Sequence, residues 1–348
     1  MASATEVDAM RRALVLAAAA IPSTHPNPRV GAVVLDASGR VVGEGYHRGA
    51  GFPHAEVEAL RQAGSAASGG TAVVTLEPCH HIGHTGPCTS ALVDAGVSRV
   101  VFAQADPNPL AQGGSAALAA SGVVVESGVL VDLARALNPT WTFAMERGRP
   151  FVTWKVASSV DGRVAAADGS SRWITGEAAR AEVHELRATV NAVMVGTGTV
   201  AVDDPQLTAR ASDGHPLASQ PLRVVVGERD LPATARVMDH ACETVQLRTH
   251  EPDEVLAELL KRDVHHVLLE GGPTLAAAFV GAGLVDRAIG YVAPALLGDG
   301  QPMIASLGRS ALSDAVRFGF DDVRLVGDDL RWTGRLSYPP EVKEQGMG

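Results

Sequence analysis

The residues best equipped for chemistry lie in the first third of the chain, where His54-Ala55-Glu56 is followed by Pro78-Cys79 and then Pro87-Cys88. One imidazole and two thiolates supply three ligands suited to zinc and leave the fourth tetrahedral position for water. A zinc site open in this way lowers the pKa of its water towards neutrality. Glu56, two residues past His54, is free to carry protons between that water and a departing amine. His-x-Glu followed by Pro-Cys-x-x-Cys is the arrangement of zinc deaminases that act on nucleobases. Eight residues separate Cys79 from Cys88, a longer span than that compact form, but His80 to Pro87 is rich in turn formers that can bring the chain back. Two plainer readings stand beside this one. The cysteines also read as small core residues with His54 at the surface. A closed structural zinc site would take His80, His81 or His84 as fourth ligand and leave Glu56 without a task.

The second half carries a different vocabulary. Gly196-Thr197-Gly198-Thr199-Val200-Ala201 follows an apolar run and fits the looser dinucleotide pattern. The sequence predicts no regular helix at Ala201, because Asp203-Asp204-Pro205 intervenes, and Glu228 comes late for the acidic residue of a Rossmann unit. Glu270-Gly271-Gly272-Pro273-Thr274 is a second candidate. Paired glycines let backbone amides approach a phosphate just ahead of a helix N-terminus, although an ordinary strand-to-helix turn uses the same residues. Arg187 and Arg210 are of the type that grips phosphate bidentately, although each taken singly is more often a solvated surface arginine.

These residues need a scaffold, and the patterning predicts alternating helices and strands. In the first half the helices are Asp8–Ala20, Ala55–Ala63 and Ser90–Ala95. The strands are Arg29–Leu35 and Val41–Tyr46, paired as a hairpin about the turn Asp36–Gly39, then Ala72–Leu76, Arg99–Ala103 and Gly122–Val125. A polar, turn-forming break falls at Glu146-Arg147-Gly148-Arg149-Pro150. Beyond it, strands are expected at Phe151–Ala157, Ala192–Gly196, Leu222–Val226, His266–Leu269 and Arg287–Val292, and helices at Gly176–Ala188, Pro252–Lys261 and Thr274–Ala282. Two α/β domains follow, residues 1–147 and 148–340, with 341–348 a frayed tail.

Composition narrows the function. With 348 residues, both domains are long enough to bury a core. A net charge of -10 argues against a nucleic-acid partner, which a basic face would grip. A small anionic substrate needs only a few local arginines. The apolar run Ala13–Ile21 is too short to span a bilayer and does not read as a signal peptide. Three cysteines make no disulfide framework, so the expected compartment is the reducing cytoplasm, with Cys242 a buried structural residue.

The segments Pro26-Asn27-Pro28-Arg29-Val30-Gly31, Gly45-Tyr46-His47, Pro53-His54-Ala55-Glu56-Val57, Thr75-Leu76-Glu77-Pro78-Cys79 and Asp106-Pro107-Asn108-Pro109 resemble the bifunctional deaminase/reductases of riboflavin biosynthesis. So do Lys155 with Ser158-Ser159-Val160-Asp161-Gly162-Arg163, Ser171-Arg172-Trp173-Ile174-Thr175, Val202-Asp203-Asp204-Pro205 and Gly271-Gly272-Pro273-Thr274. The likeness covers about residues 8–335. It implies a cytidine-deaminase-like three-layer domain followed by a dihydrofolate-reductase-like α/β domain. It also implies zinc on His54, Cys79 and Cys88, proton transfer by Glu56, and substrate contact at Asn27. NADPH would lie against Ala157, Trp173, Thr199, Asp203, Gly272, Pro273, Thr274, Leu275, Ala276, Ala277, Ala278 and Phe279. Ser171, Arg187, Leu207, Arg210 and Glu270 would hold the ribose phosphate. The implied substrate is a small phosphorylated pyrimidine, and the implied assembly a homo-oligomer. Two departures stand out. Ala111-Gln112-Gly113-Gly114 is neutral where the family usually carries a basic residue, and Thr85-Gly86-Pro87-Cys88 replaces Thr-Pro-Pro-Cys. Other readings of the same residues are a nucleoside or nucleobase deaminase with a C-terminal recognition domain, and a zinc-stabilised binding protein without turnover.

Overall fold

A capping box starts the first helix: Ser3 Oγ accepts the Glu6 amide at 3.2 Å and the Glu6 carboxylate takes the Ser3 amide at 2.7 Å. The coordinates, a computed structural model, describe residues 1–19, 24–80 and 86–339. They divide into two compact units, Met1–Gly148 and Arg149–Gly348. The tail expected to fray, beyond Pro339, lies outside the described residues.

The first unit runs α1 (Ala4–Ala18), β1 (Gly31–Leu35), β2 (Val41–Tyr46), α2 (Ala55–Ala63), β3 (Thr71–Leu76) and α3 (Cys88–Asp94). It continues through β4 (Arg99–Gln104), α4 (Gly114–Ala120), β5 (Val124–Ser127), α5 (Val131–Leu137) and α6 (Pro139–Arg147). Its sheet is ordered β2-β1-β3-β4-β5, antiparallel about β1 and parallel from β3 to β5. Strand alternation builds three layers. Ala32, Val34, Ala72 and Val74 face Ala55 and Ala59 of α2, whereas Val33, Leu35 and Val73 face Met10 and Ala13 of α1. Two glycines decide how closely α2 seats on β2. A Cβ at Gly43 would stand 2.1 Å from the Ala59 carbonyl oxygen, and one at Gly45 would stand 2.3 Å from that of Ala55.

The second unit opens with β6 (Phe151–Ser159), β7 (Arg163–Ala166), α7 (Glu177–Ala188), β8 (Ala192–Gly196), α8 (Thr197–Asp203), β9 (Leu222–Val226) and β10 (Thr244–Leu247). There follow α9 (Pro252–Lys261), β11 (His266–Leu269), α10 (Pro273–Gly281), β12 (Arg287–Ala293), β13 (Gly300–Pro302), β14 (Arg317–Val326) and β15 (Asp329–Ser337). Eight strands form one sheet, β10-β9-β8-β11-β6-β12-β15-β14, parallel as far as β12 and antiparallel beyond it. This is a dihydrofolate-reductase-like α/β sheet. Its central strands are apolar on both faces, as helix-covered parallel strands must be.

Three expectations need correction. A helix does open inside the Gly196–Ala201 segment, at Thr197, with Gly196 as its N-cap. It ends at Asp203 because Asp204 turns left-handed, so the Asp-Asp-Pro run stops a short helix rather than preventing one. Strand β5 starts at Val124, two residues later than expected, since Gly122 at φ 82° belongs to the turn after α4. Cys242, expected to be buried, is only half-buried.

Candidate active sites

The deaminase-type site gathers at the carboxyl ends of β3 and β4. His54 is the N-cap of α2, Cys88 is the first residue of α3, and Cys79 follows β3 through Glu77-Pro78. His54 Nδ1 stands 3.2 Å from Cys88 Sγ and 3.6 Å from Cys79 Sγ, and all three donor atoms lie within 4.8 Å of one another. Tetrahedral zinc with Zn–S of about 2.3 Å and Zn–N of about 2.0 Å holds N and S ligands roughly 3.5 Å apart. The donor set therefore fits zinc in both chemistry and size. Among the described residues no fourth histidine, cysteine or carboxylate joins the group. The His80 ring is engaged with Thr89 Oγ1 at 3.0 Å; His81 and His84 lie outside the described residues.

The electrostatics suit thiolate ligation. The Cys79 thiol is lowered to about 4, first by the hydrogen bond from Cys88 and then by His54, against the opposing effect of burial. Cys88 is pushed up because it donates that bond and is buried. His54 is raised by its bond with Cys79. Glu56 is 5% exposed, and burial pushes its carboxyl up; it touches Cys88 without joining the donor set. A carboxylic acid held this way at a metal's edge can both accept and give a proton. Asp106 is raised to about 6, chiefly by burial and also by Glu77.

Asn27 is fixed by a residue that carried no role in the sequence reading. Its Nδ2 lies 2.9 Å from His47 Nε2, and His47 Nδ1 lies 3.1 Å from the Pro53 carbonyl oxygen. That carbonyl can only accept, so His47 carries its proton on Nδ1 and offers Nε2 as acceptor to the Asn27 amide. Burial lowers the His47 pKa and keeps the ring neutral. The only sequence signal was its place in Gly45-Tyr46-His47, at the end of β2.

The neutral Ala111–Gly114 loop has a packing reason. Ala111 is buried, a Cβ at Gly114 would come within 1.8 Å of the Pro78 carbonyl oxygen, and the Glu77 carboxylate accepts the Ser115 amide at 2.8 Å. The loop is clamped onto the turn that presents Cys79.

The second unit collects its candidates at the carboxyl ends of β8, β9 and β11, the edge where open α/β sheets bind ligands. Glycines follow or end these strands at 196, 227 and 271. Thr199 Oγ1 accepts the Gly272 amide at 3.1 Å, which ties the two glycine turns together. A Cβ at Gly227, at φ 128°, would stand 2.8 Å from Thr197 Oγ1. This bare backbone is a cradle that a dinucleotide fits; Thr197 lies within the glycine pattern read from the sequence but took no role there, and Gly227 was missed because it belongs to no recognisable spacing. Within α10, Pro273, Ala276, Ala277 and Phe279 turn into the core, Leu275 and Ala278 are half-buried, and Thr274 is exposed. What the segment offers outward is its glycines and first amides. Ser171 Oγ bonds Asp203 at 3.1 Å, Ala157 is half-buried beside Tyr291, and Trp173 is 70% exposed beneath the Arg180 guanidinium, 4.5 Å from its ring.

Arg187, Glu270, Lys155 and Arg210 form one cluster. Arg187 grips Glu270 through Nε and Nη2 at 2.7 and 3.0 Å, and Lys155 Nζ lies 3.9 Å from the same carboxylate. Burial would raise Glu270, but Arg187 outweighs it and the carboxyl stays low; burial lowers Lys155. Thr208 joins the arginines, its carbonyl accepting from Arg187 Nη1 at 3.2 Å and its hydroxyl from Arg210 Nε at 3.1 Å. Leu207 before it is buried at φ 56°.

An open zinc site on one unit and a glycine-lined nucleotide edge on the other define a zinc deaminase joined to a reductase. Residues 3–104 match the cytidine and deoxycytidylate deaminase zinc-binding region, and residues 150–331 match the RibD C-terminal domain. The riboflavin biosynthesis protein RibD of Mycobacterium tuberculosis is 52% identical over 309 residues, 88% of this chain and 91% of that protein. That of Escherichia coli is 41% identical over 355 residues, covering 92% and 96%. The structure superposes on Acinetobacter baumannii RibD with a TM-score of 0.86 at 41% identity, covering 96% and 99%. It also superposes on the Thermotoga maritima diaminohydroxyphosphoribosylaminopyrimidine deaminase/5-amino-6-(5-phosphoribosylamino)uracil reductase, with a TM-score of 0.80 at 32% identity and the same coverage. The chain belongs to the RibD family. It is a bifunctional enzyme of riboflavin biosynthesis that deaminates and then reduces, using zinc and NADPH.

Proposed function

We propose that residues 1–147 deaminate 2,5-diamino-6-ribosylamino-4(3H)-pyrimidinone 5′-phosphate and that residues 148–340 reduce the ribosyl group of the product to ribityl. His54, Cys79 and Cys88 would hold zinc, which when bound acidifies water for attack on the amino-bearing ring carbon. Glu56 takes a proton from the incoming water and returns one to the departing amine, so that ammonia leaves. Asn27, held by His47, reads the pyrimidine edge with its side-chain carbonyl oxygen.

In the second unit NADPH, when bound, would supply the hydride that reduces C1′ of the protonated open-chain imine to the ribitylamine. Thr199, Asp203, Trp173, Ala157 and the Gly272–Phe279 segment position the nucleotide. Ser171, Leu207 and Arg210 hold the ribose phosphate, together with Arg187, which Glu270 keeps in its fork geometry. The phosphorylated pyrimidine is the small-molecule partner. We further propose a homo-oligomer. Edge strand β14 exposes Phe320, Val323 and Leu325 on the face it shares with Trp332, an apolar edge that a second copy would cover. Three free cysteines suit a cytoplasmic setting.

The observation that carries this reading is the convergence of His54, Cys79 and Cys88 with Glu56 buried beside them. Glu56→Gln keeps the shape and removes the proton carrier. Zinc content should stay at wild-type level while ammonia release falls by about 10²–10⁴-fold. Undiminished ammonia release from the zinc-loaded variant would reject the deaminase mechanism.

A further inference from the structure

Behind Arg210 stands a chain of polar groups that none of the motifs accounts for. Arg223, on β9, is 0% exposed, a costly place for a guanidinium; its Nε has no partner among the described residues, and its two terminal nitrogens carry the pairing. Its Nη1 donates to Asp239 Oδ1 at 2.7 Å, and Nη2 donates to the Asp239 carbonyl at 2.6 Å and to the Cys242 carbonyl. The free oxygen of that carboxylate, Oδ2, accepts Gln206 Nε2 at 2.5 Å. Since a carboxylate only accepts, the Gln206 amide has one allowed orientation, with Oε1 turned away from Asp239. Two guanidiniums converge on that oxygen, Arg210 Nη2 at 2.5 Å and Arg236 Nη2 at 3.2 Å.

We propose that Gln206, locked by Arg223 and Asp239, is a positioning residue that holds Arg210, with Arg236 beside it, ready for the phosphate monoester of the reductase substrate. Two cations sharing one neutral oxygen repel each other, and a dianion between them relieves that repulsion. The proposal rests on the reading of Arg210 as a phosphate-binding residue.

The test compares kcat/KM for NADPH-dependent reduction of the deaminated pyrimidine with and without its 5′-phosphate. Gln206→Leu should lower the preference for the phosphorylated form about tenfold, through KM with kcat little changed, as loss of one hydrogen bond to a charged group predicts. Activity on the dephosphorylated form and ammonia release should match wild type. Arg210→Ala is the reference. If Arg210→Ala keeps the preference, the phosphate reading itself fails. If it loses the preference while Gln206→Leu keeps it, or if Gln206→Leu loses activity on both forms equally, positioning by Gln206 is overturned. Should the leucine variant not fold, Gln206→Glu answers instead. It is isosteric but sets a negative charge before the phosphate, so an unchanged preference there overturns the proposal as well.

Discussion

Gly45→Ala should separate the two activities by moving one helix. The new methyl would stand 2.3 Å from the Ala55 carbonyl oxygen and 2.6 Å from the Ala59 amide nitrogen, against about 3.4 Å for ordinary contact. Both nearest atoms are backbone, so no rotamer change relieves the overlap, and α2 must retreat by about 1 Å or β2 must bend. The overpacking alone costs about 1–3 kcal/mol. The retreat matters more, because α2 begins at His54 and carries Glu56 in its first turn. Zinc ligation tolerates about ±0.2 Å, and a 1 Å misplacement of a catalytic group costs on the order of 10²-fold in rate. The variant should therefore lose zinc affinity and release ammonia about 10²-fold more slowly. NADPH oxidation with already deaminated pyrimidine should be unchanged. The assay pairs zinc content and ammonia release with NADPH oxidation. A variant that stays folded, keeps its zinc and deaminates within about threefold of wild type would refute the claim that the glycines of β2 set the position of α2.

Three further outcomes follow from the same geometry. Cys88→Ala should abolish stoichiometric zinc and ammonia release together and leave reductase turnover intact, checked by metal analysis and paired assays; chelation of the wild type should do the same. Arg187→Ala leaves the Glu270 carboxylate buried beside Lys155 alone, so it should lower stability by about 3–5 kcal/mol in denaturant unfolding. It should also raise the reductase KM without affecting deamination. Asp161 accepts from Ser159 Oγ and from the Leu297 and Gly298 amides, which holds its carboxyl at about 2 against an ordinary 3.8. A depressed carboxyl stabilises the fold above its unfolded pKa and stops doing so as pH falls through the folded one. Asp161→Asn should therefore lower Tm at pH 7, with the gap to wild type closing between about pH 4 and pH 2. A gap that persists at pH 2 would contradict this.

How much of this was legible in the sequence depended on whether the signal was local. The three zinc donors and Glu56 could be read because each comes with its own turn or helix start, His54 as N-cap and Cys79 and Cys88 each after a proline. Periodicity also placed β1 to β4, α2 and the central strands of the second sheet to within a few residues. Short or exposed elements escaped it. Strands β14 and β15 are half-polar, α4 is seven residues in which Leu118 is the one large apolar side chain among glycine, serine and alanine, and α8 hid behind Asp203-Asp204-Pro205. Illegible by nature were residues defined by partners far along the chain. His47 needs Asn27, twenty residues back, and Gln206 needs Asp239, thirty-three residues on. Neither pairing leaves a spacing that a motif could record.

The same contrast explains why the neutral Ala111–Gly114 loop misleads as sequence. By charge it looks like a phosphate grip that has been lost. In the fold, Gly114 is the residue without which the turn bearing Cys79 could not close, and Glu77 caps the helix that follows. A basic residue can be exchanged along such a loop at modest cost, but a side chain at Gly114 cannot be accommodated without moving Pro78. The constraint on the segment is thus steric and set by the metal site, and its lack of charge says little about how tightly the substrate is held.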